Sequence, residues 1–469
     1  MPRKIKLREK VSYGFGDMAS SMFWKLFGMY LLFFYTDVFG ITAAAVGTMF
    51  FVTRIWDTFF DPVVGAFSDR INSKWGKFRP FLLYVAIPFG VIGVLTFTTP
   101  DFAYTGKLIY AYITYSLMML IYSLINVPYA SLLGVISSNP RERNTIASFR
   151  MAFAFAGGLI AIALIQPMVS LFSKMGGGEV NLKRGWEMGV GVIAVLCILL
   201  FLGCFAGVRE RVAPLKKESP DLKKDIKDLW KNRPWWILLV SGIAALVFNS
   251  IRDGATLYYF KYVIEDITAF TLGSIMVSYS TLYLVLGQAA NIIGVILASP
   301  VGNKIGKKNT FLSAMSMATI LSVIFYWFGK EQLILIFVFQ FFISFCAGII
   351  FPLLWSMYAD IADYSELKTG RRATGLIFSS SSMSQKLGWT IGGGLTGWLL
   401  AIFGFKANVV QGVEAQNGIR IMLSFLPAIG ALLSVIFIAL YPLSEKKVAE
   451  ISAELSEKRK LNGNLATTI

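Results

Sequence analysis

An apolar stretch near the amino terminus, TRIWDTFFDPVVG (Thr53 to Gly65), contains three charged residues where a lipid-embedded helix should carry none. Arg54 lies three residues before Asp57, and Asp61 lies four after it, so all three share one helix face. A charge at the centre of a membrane-spanning helix costs at least about 2.5 kcal/mol unless it faces a cavity or a partner. Two carboxylates in one low-dielectric place favour one bound cation, either a shared proton or a small hard ion such as Na⁺. The pattern predicts a coupling-ion site, and a packing pair of Arg54 with Asp57 is the alternative.

Other apolar runs also carry charge at membrane depth. Lys386 follows a run of hydroxyls, Ser379 to Ser382, and is suited to neutralising the two aspartates or to donating to a hydroxyl or carboxylate of a substrate. Lys25, Arg252 and Asp253 are predicted to line a cavity or a gate, with simple ion pairing as the alternative.

The composition of the chain is that of a membrane protein. Of 469 residues, 56% are hydrophobic and 15% are charged, and the mean hydropathy is +0.63. Apolar segments long enough to cross a hydrocarbon core of about 30 Å recur along the whole chain. They predict an all-α polytopic protein with twelve transmembrane helices, at approximately residues 11–38, 42–69, 80–99, 106–135, 147–172, 187–208, 234–263, 268–299, 310–328, 332–361, 374–404 and 416–442.

The net charge of +17 is explained by membrane topology, which excludes the need for a nucleic-acid partner. If both termini are cytoplasmic, the basic clusters all fall on one side, as the positive-inside rule requires: PRKIKLREK, RINSKWGKFR, PRER, KKESPDLKKDIKDLWKNR, NKIGKK, KTGRR and EKKVAE with EKRK. No small-residue cleavage site follows a short apolar run, so we expect an uncleaved first helix. The chain has no His, and its 3 Cys lie within predicted spans as small apolar side chains.

One long charged segment, Arg209 to Arg233, separates six predicted helices from six more. Two pairs of segments recur after about 225 to 230 residues: NVPYASLL with IFPLLWSMYA, and RERNTIASFR with GRRATGLIFSS. Two six-helix repeats around a central cavity are typical of rocker-type secondary transporters. We therefore expect an amino-terminal bundle at 1–210, a cytoplasmic linker at 211–233, a carboxy-terminal bundle at 234–443 and a cytoplasmic tail at 444–469.

A conspicuous loop pattern follows the second predicted helix: GAFSDRINSKWGKFR, Gly65 to Arg79. It resembles the loop motif of the major facilitator superfamily. In such a cluster an acid at the helix end pairs with loop cations and with a neighbouring helix in one state, and the pairs break in the other. A solvated basic loop is the alternative. The residues we expect to contribute to gating are Arg54, Asp69, Arg70, Asp360, Arg371 and Arg372.

A wider set of motifs carries a more specific resemblance. SYGFGDMAS, YTDVFGI, RIWDTFFDP, SDRINSKWGKFRP, NVPYASL and YADIADYSELKTGRRATGL together resemble the glycoside–pentoside–hexuronide:cation symporters of the major facilitator superfamily, the family of melibiose permease. The match extends from about Lys10 to Leu443, and its style is closer to the xyloside and isoprimeverose-type members. The resemblance implies the major facilitator fold, cation-coupled uptake of a sugar, and a bacterial cytoplasmic (inner) membrane location.

The resemblance also implies roles for individual residues. Asp57 and Asp61 match the two aspartates of the family's cation site, and Ser123 matches a hydroxyl beside it. Lys386 matches a lysine near both the cation and sugar sites. The remaining matches belong to the sugar site: Ser382, Arg150 and Tyr122. From the sequence alone, snorkelling of Arg150 to water explains that residue equally well.

Departures from the family pattern bear on the substrate. Two carboxylates that melibiose permease uses to hold galactosides are replaced by Ser21 and Asn126, and a stacking tryptophan by Ala130, which argues against a galactoside. Retaining Lys25 and Lys386 favours admission of a uronic acid, although a neutral pentoside fits as well. An oxygen ligand that assists Na⁺ is replaced by Phe60, which favours H⁺ over Na⁺. Other residues considered for the substrate are Asn249 and the aromatics Trp24, Tyr30, Trp355 and Trp389.

These observations predict symport of a small sugar or glycoside, pentoside- or xyloside-like, into the cell. The expected partners are that substrate and the lipid bilayer, with no obligate protein partner and no cofactor beyond the coupling ion. A uronide symporter, a lipid or lysolipid transporter and a passive facilitator on the same fold are the alternatives. A membrane enzyme is disfavoured because the acids lie within the membrane or in basic loops, without a catalytic or metal cluster on a polar loop.

Overall fold

The computed structural model of the chain describes residues 5–71, 73–137, 140–175, 180–211, 227, 229–265, 268–272, 275–369 and 374–466. Most of these residues are helical. The helices before the central charged segment are α1 (Leu7–Met29), α2 (Leu31–Phe33), α3 (Ala43–Arg70), α4 (Arg79–Tyr84), α5 (Ala86–Thr96), α6 (Tyr104–Ile136), α7 (Pro140–Lys174) and α8 (Leu182–Gly207). Those after it are α9 (Arg233–Tyr259), α10 (Tyr279–Ile305), α11 (Lys307–Phe325), α12 (Leu333–Thr369), α13 (Thr374–Ile402), α14 (Val413–Leu423), α15 (Phe425–Ala439) and α16 (Glu445–Ala466).

Each of the twelve predicted spans overlaps one helix or two consecutive helices. A helix is required there because lipid offers the backbone no hydrogen-bonding partner, so N–H and C=O groups must pair within the segment. In the described part of the chain, 8 helices are long and apolar enough to cross a membrane, judged by length and composition alone. α3, with 28 residues, and α13, with 29, have the required length but carry the charged and hydroxyl groups singled out above.

The structure differs from the predicted spans at three places. The eighth predicted span was wrong over its first turns, because β1 (Thr268–Leu272) and β2 (Ile275–Ser278) form an antiparallel hairpin before α10 begins. β-branched and aromatic residues make this segment apolar but favour strands over helices. The third span is divided into α4 and α5, and the twelfth into α14 and α15. Two π-helical segments, Phe34–Phe39 and Phe260–Ile264, follow directly on α2 and α9.

The contacts of the chain group it into two compact units. Unit 1 comprises Met1–Lys216, Asp253–Gln288 and Gly393–Arg420. Within it, α1 packs mainly against α7 and α8, and α3 packs against α6. Gly47 of α3 and Gly397 of α13 permit a close helix contact, since a Cβ on Gly397 would stand 2.7 Å from the Gly47 Cα.

Unit 2 comprises Lys217–Arg252, Ala289–Gly392 and Ile421–Ile469. In it, α11 packs against α12 and α15, and α16 packs against α12. The two units are thus a different division of the chain from the two sequence repeats, and the repeat boundaries stay a prediction.

The predicted loop motif after α3 folds around an acid from further along the chain. The backbone N–H groups of Lys77, Phe78 and Arg79 donate to the Glu210 carboxylate at 2.9, 2.8 and 3.0 Å. Gly76 reaches this position with a φ of 108°, a conformation that favours glycine. The loop therefore holds a carboxylate at the start of α4, where the free N–H groups of a helix attract negative charge.

Candidate cation and substrate site

The centre of the candidate site is a serine that joins two aspartates. Asp57 and Asp61 lie one turn apart near the middle of α3, and Ser123 faces them from α6. The Ser123 Oγ lies 2.8 Å from Asp57 Oδ1 and 2.7 Å from Asp61 Oδ1. Asp57 is 8% exposed and Ser123 is 2% exposed, so water screens this cluster little. The structure thus brings together the three residues that the sequence assigned to the cation.

A hydroxyl group carries one hydrogen, which limits how this cluster is bonded. Ser123 can donate to one carboxylate and accept from the other group only if that group is a protonated carboxyl. With both carboxylates ionised, one of the two short oxygen–oxygen contacts would be repulsive. The arrangement therefore suits one added positive charge, whether a proton on one carboxyl or a small cation beside it.

Arg54 is held by aromatic side chains on neighbouring helices. Its Nε donates to the Tyr115 hydroxyl at 3.0 Å, and the guanidinium lies 5.2 Å from the ring centroid of Trp24. Arg54 is 7% exposed. These contacts join α3 to α6 and α1, so the guanidinium contributes to packing as well as to the charge of the region.

A second charged pair lies between α1 and α7. Arg150 Nε donates to Asp17 Oδ2 at 2.8 Å, and its Nη2 lies 3.5 Å from Asp17 Oδ1. The guanidinium also lies 5.2 Å from the ring centroid of Tyr129. The sequence predicted a role for Arg150 but missed Asp17. A carboxylate in the middle of the first predicted span was the signal that could have identified it.

α1 and α6 face each other along a row of polar and aromatic side chains, which we name the α1–α6 stripe. Ser20 Oγ donates to Asn126 Oδ1 at 2.8 Å. The rings of Trp24 and Tyr122 lie 5.7 Å apart. The stripe consists of Tyr13, Asp17, Ser20 and Trp24 on α1 and Tyr122, Asn126 and Tyr129 on α6. These positions recur every three or four residues, so each set occupies one helix face.

Lys25 lies beside the stripe and is also paired. Its Nζ stands 3.8 Å from Asp253 Oδ2 on α9, and the two side chains are 19% and 23% exposed. Ser21, one of the residues predicted to replace a sugar-binding carboxylate, is half-buried on α1.

Several predicted residues belong to unit 2, and the structure gives contacts for three of them here. Lys386 is half-buried in α13, and its carbonyl accepts from Thr390 Oγ1 at 2.6 Å. Asn249 is half-buried in α9 and donates to the Ala245 carbonyl at 2.9 Å. Asp360 accepts from Lys307 Nζ through both carboxylate oxygens, at 2.8 and 2.7 Å. Of these, Asp360 forms the cation–carboxylate contact expected of a gating residue.

Some predicted residues lie outside the residues or side chains that the structure describes. Ser382 belongs to α13 and Asp69 to α3, but their side chains are outside what the structure describes. Arg371 and Arg372 lie outside the described residues. Arg70 is the exposed last residue of α3.

A cluster that the sequence did not single out surrounds Asp37, at the end of the α1 and α2 segment. The Asp37 carboxylate accepts from Lys261 Nζ at 2.6 Å, from Thr36 Oγ1 at 2.7 Å and from the Tyr262 hydroxyl. Asn408 Nδ2 donates to the Asp37 carbonyl at 2.7 Å. The Asp37 side chain is 1% exposed. This cluster joins the ends of α2, α9 and α13 within unit 1.

No group of three or more His, Cys, Asp or Glu side chains suited to a metal ion occurs among the residues that the structure describes. Cys197, Cys204 and Cys346 are free and buried. The two aspartates with Ser123 therefore remain the candidate for a monovalent coupling ion.

Membrane-length helices with charged groups paired in their interior are the architecture of a polytopic membrane protein. The fold resembles that of the bacterial homologue of the human lysosomal transporter Spinster, in its inward-facing and unoccupied conformation, with a TM-score of 0.69 and 12% identity over 95% of this chain and 97% of that one. That similarity establishes the fold alone.

The family model described as MFS/sugar transport protein matches residues 12–445. The chain belongs to this family of the major facilitator superfamily, whose members are transporters and not enzymes. It is 36% identical to the inner membrane symporter YicJ of Escherichia coli, over 93% of this chain and 92% of that one. It is 35% identical to the isoprimeverose transporter of Lactiplantibacillus pentosus (98% and 93%), and 32% identical to the glucuronide carrier protein homolog of Escherichia coli (100% and 100%).

Proposed function

We propose that this protein is a symporter that couples entry of a small glycoside to entry of one proton. Membership in a family of sugar transporters and the names of the symporter and isoprimeverose relatives support sugar transport. The basic clusters support an orientation with both termini cytoplasmic, and the inner membrane relative supports the bacterial cytoplasmic membrane.

The observation that carries the coupling is the single hydroxyl between two carboxylates. The short contacts of Ser123 to Asp57 and Asp61 are all favourable when the cluster holds one extra positive charge. A proton meets that need without further ligands, whereas Na⁺ requires several oxygens around it. The neighbouring Phe60 supplies none, which supports the proton as the coupling ion.

Transport then depends on linked changes at three places: the Asp57–Asp61 pair, the α1–α6 stripe and the Asp37 cluster. A proton bound between Asp57 and Asp61 lowers the charge of the cluster from two negative charges to one and favours sugar binding along the adjoining α1–α6 stripe. Because binding couplings are reciprocal, sugar raises the proton affinity by the same factor. The Asp37 cluster joins the ends of three helices, so it opens and closes as a gate when the binding site changes sides.

The test uses purified full-length protein in liposomes that contain a pH-sensitive dye. Pentosides, hexosides and uronides are added outside, with and without Na⁺. We expect a sugar that enters by proton symport to acidify the lumen without Na⁺. Asp57→Asn and Asp61→Asn should abolish both this signal and accumulation of labelled sugar against a gradient, because each removes a group needed to bind the proton.

Asp101→Asn is the matched control, since Asp101 lies on a loop, is 90% exposed and pairs with Lys183. This variant should keep the acidification. Concentrative uptake that survives in both Asp57→Asn and Asp61→Asn would contradict the coupling site. Uptake that requires Na⁺ and moves no proton would replace the proton by Na⁺ at the same residues.

A further inference from the structure

Two membrane-depth cations of unit 1 beside the α1–α6 stripe each face a carboxylate. Arg150 lies 2.8 Å from Asp17, and Lys25 lies 3.8 Å from Asp253. Two positive and two negative side chains together contribute no net charge to this region. Positive residues along α1 and α7 therefore do not by themselves indicate an anionic substrate such as a uronide.

The Asp17–Arg150 pair is arranged so that the guanidinium is already engaged. Two of its nitrogens face the two oxygens of Asp17, and one face of the group lies over the ring of Tyr129. A substrate carboxylate would have to displace Asp17 or bind beside it. Displacement leaves an unpaired carboxylate at low dielectric, and binding beside it brings two negative charges together; both cost free energy.

An uncharged glycoside meets no such conflict. A sugar hydroxyl both donates and accepts, so it can donate to Asp17 and accept from Arg150 while the ion pair stays intact. The pair is reachable, because the Asp17 side chain is 14% exposed and that of Arg150 is 29% exposed. Asp17, Ser20 and Trp24 share one face of α1, so further hydroxyl and ring contacts continue along the stripe.

We propose that Asp17 is the residue that sets charge selectivity: by holding Arg150 it restricts the site to uncharged glycosides and excludes uronides. This inference rests on the proposed symport function and specifies its substrate class. It places the chain with neutral-glycoside carriers even though one of its relatives is named a glucuronide carrier protein homolog.

The experiment compares uptake of methyl β-D-xyloside and methyl β-D-glucuronide by the full chain in liposomes. The wild type should take up the xyloside and discriminate against the glucuronide. Asp17→Asn frees the guanidinium and removes the repelling charge, so the glucuronide-to-xyloside uptake ratio should rise at least about tenfold. Asp17→Glu keeps the charge and should keep the wild-type ratio.

The matched control lies on the same helix. Glu9 is buried near the start of α1 and accepts from Arg211 at 2.6 and 2.7 Å, outside the stripe. Glu9→Gln removes an equivalent carboxylate from an arginine and should leave the uptake ratio unchanged. A rise in the ratio for Glu9→Gln as well would show that general loosening, and not Asp17, changes the selectivity.

If Asp17→Asn is not recovered as folded protein, the double variant Asp17→Asn/Arg150→Gln decides, because it leaves no unpaired charge. It should lose at least about tenfold of the xyloside preference. An unchanged ratio in the folded single or double variant, or wild-type uptake of the glucuronide equal to that of the xyloside, overturns the inference while sugar transport stands. Wild-type protein that moves neither these two sugars nor any other member of the panel of pentosides, hexosides and uronides instead overturns the proposed function itself.

Discussion

Two arginines at membrane depth, one in each compact unit, are held in different ways. Arg150 of unit 1 is paired with the Asp17 carboxylate, and its side chain is 29% exposed. Arg252 of unit 2 is 6% exposed and donates to two neutral oxygens, the Leu423 carbonyl at 2.5 Å and Gln340 Oε1 at 2.9 Å. Its guanidinium also lies 5.3 Å from the ring centroid of Phe325.

The partner of Arg252 explains its position. Leu423 is the last residue of α14, directly before the break that separates α14 from α15. Carbonyls in the last turn of a helix lack partners within that helix, and a buried cation can satisfy them. Arg252 thus stabilises a helix break, whereas the Asp17–Arg150 pair is accessible and can exchange contacts with a ligand. Charge within a membrane segment is therefore functional or structural depending on what holds it.

The largest expected effect is on transport, through Arg150. Arg150→Gln should lower sugar uptake by roughly 100- to 1,000-fold, because Asp17 is left without its guanidinium and the substrate loses a donor. The thermal midpoint should fall by less than that of Arg252→Met, because the Asp17 carboxylate that is left unpaired is partly exposed. Labelled-sugar uptake and thermal unfolding of the same preparation measure both quantities.

The control for that variant is Arg184→Gln, because Arg184 is exposed and, among the contacts described, its guanidinium donates to a loop carbonyl, that of Met175. Its uptake should match the wild type. A large loss of stability with Arg150→Gln would instead place this arginine in the same structural class as Arg252.

Substitution of Arg252 should lower stability strongly and sugar binding little, the reverse of the result expected for Arg150. Arg252→Met should lower the free energy of unfolding by about 2 kcal/mol, because two hydrogen bonds from a charged donor are lost and a helix end is uncapped. Sugar affinity should stay within about twofold of the wild type. Denaturation in detergent and equilibrium sugar binding test this, and Arg252→Lys should recover part of the stability. Normal stability with lost binding would reverse the comparison.

A smaller effect is expected at Asp37, whose buried carboxylate joins the ends of helices. Asp37→Asn weakens the contact to Lys261 by about 1 kcal/mol. Amide hydrogen exchange at residues 258–265 should therefore become about fivefold faster. The same measurement on Asp101→Asn serves as the reference. Unchanged exchange at residues 258–265 would remove the Asp37 cluster from the gate.

The proximity of Asp57, Asp61 and Ser123 could be predicted in part from sequence because charges inside an apolar run are conspicuous. Asp57 and Asp61 reveal their shared face through a spacing of four residues, and the family resemblance added Ser123. The Asp17–Arg150 pair could not be predicted in the same way, since 133 residues separate its members and no local pattern links them. Packing of α1 against α7 creates that pair.

In the fold, too, local sequence properties predict some features and not others. Each of the twelve spans predicted from hydropathy overlaps a helix of the structure, because length and apolarity are what a bilayer selects. It failed at residues 268–278, where strand and helix are equally apolar and the choice depends on side-chain shape and on pairing. It also missed the breaks at Val85 and Ser424, because these interrupt the helices without adding polar sequence.

Under the proposed proton coupling, the Ser123 cluster would also set a thermodynamic ceiling. A cluster that takes up one proton per cycle moves one elementary charge for each sugar molecule. One charge crossing 100 mV is worth about 2.3 kcal/mol, which supports at most about a 50-fold sugar gradient, with about a further tenfold for each unit of pH difference. The membrane potential and the pH difference would therefore limit how far such a symporter concentrates a dilute glycoside, and uptake should collapse promptly when both are lost.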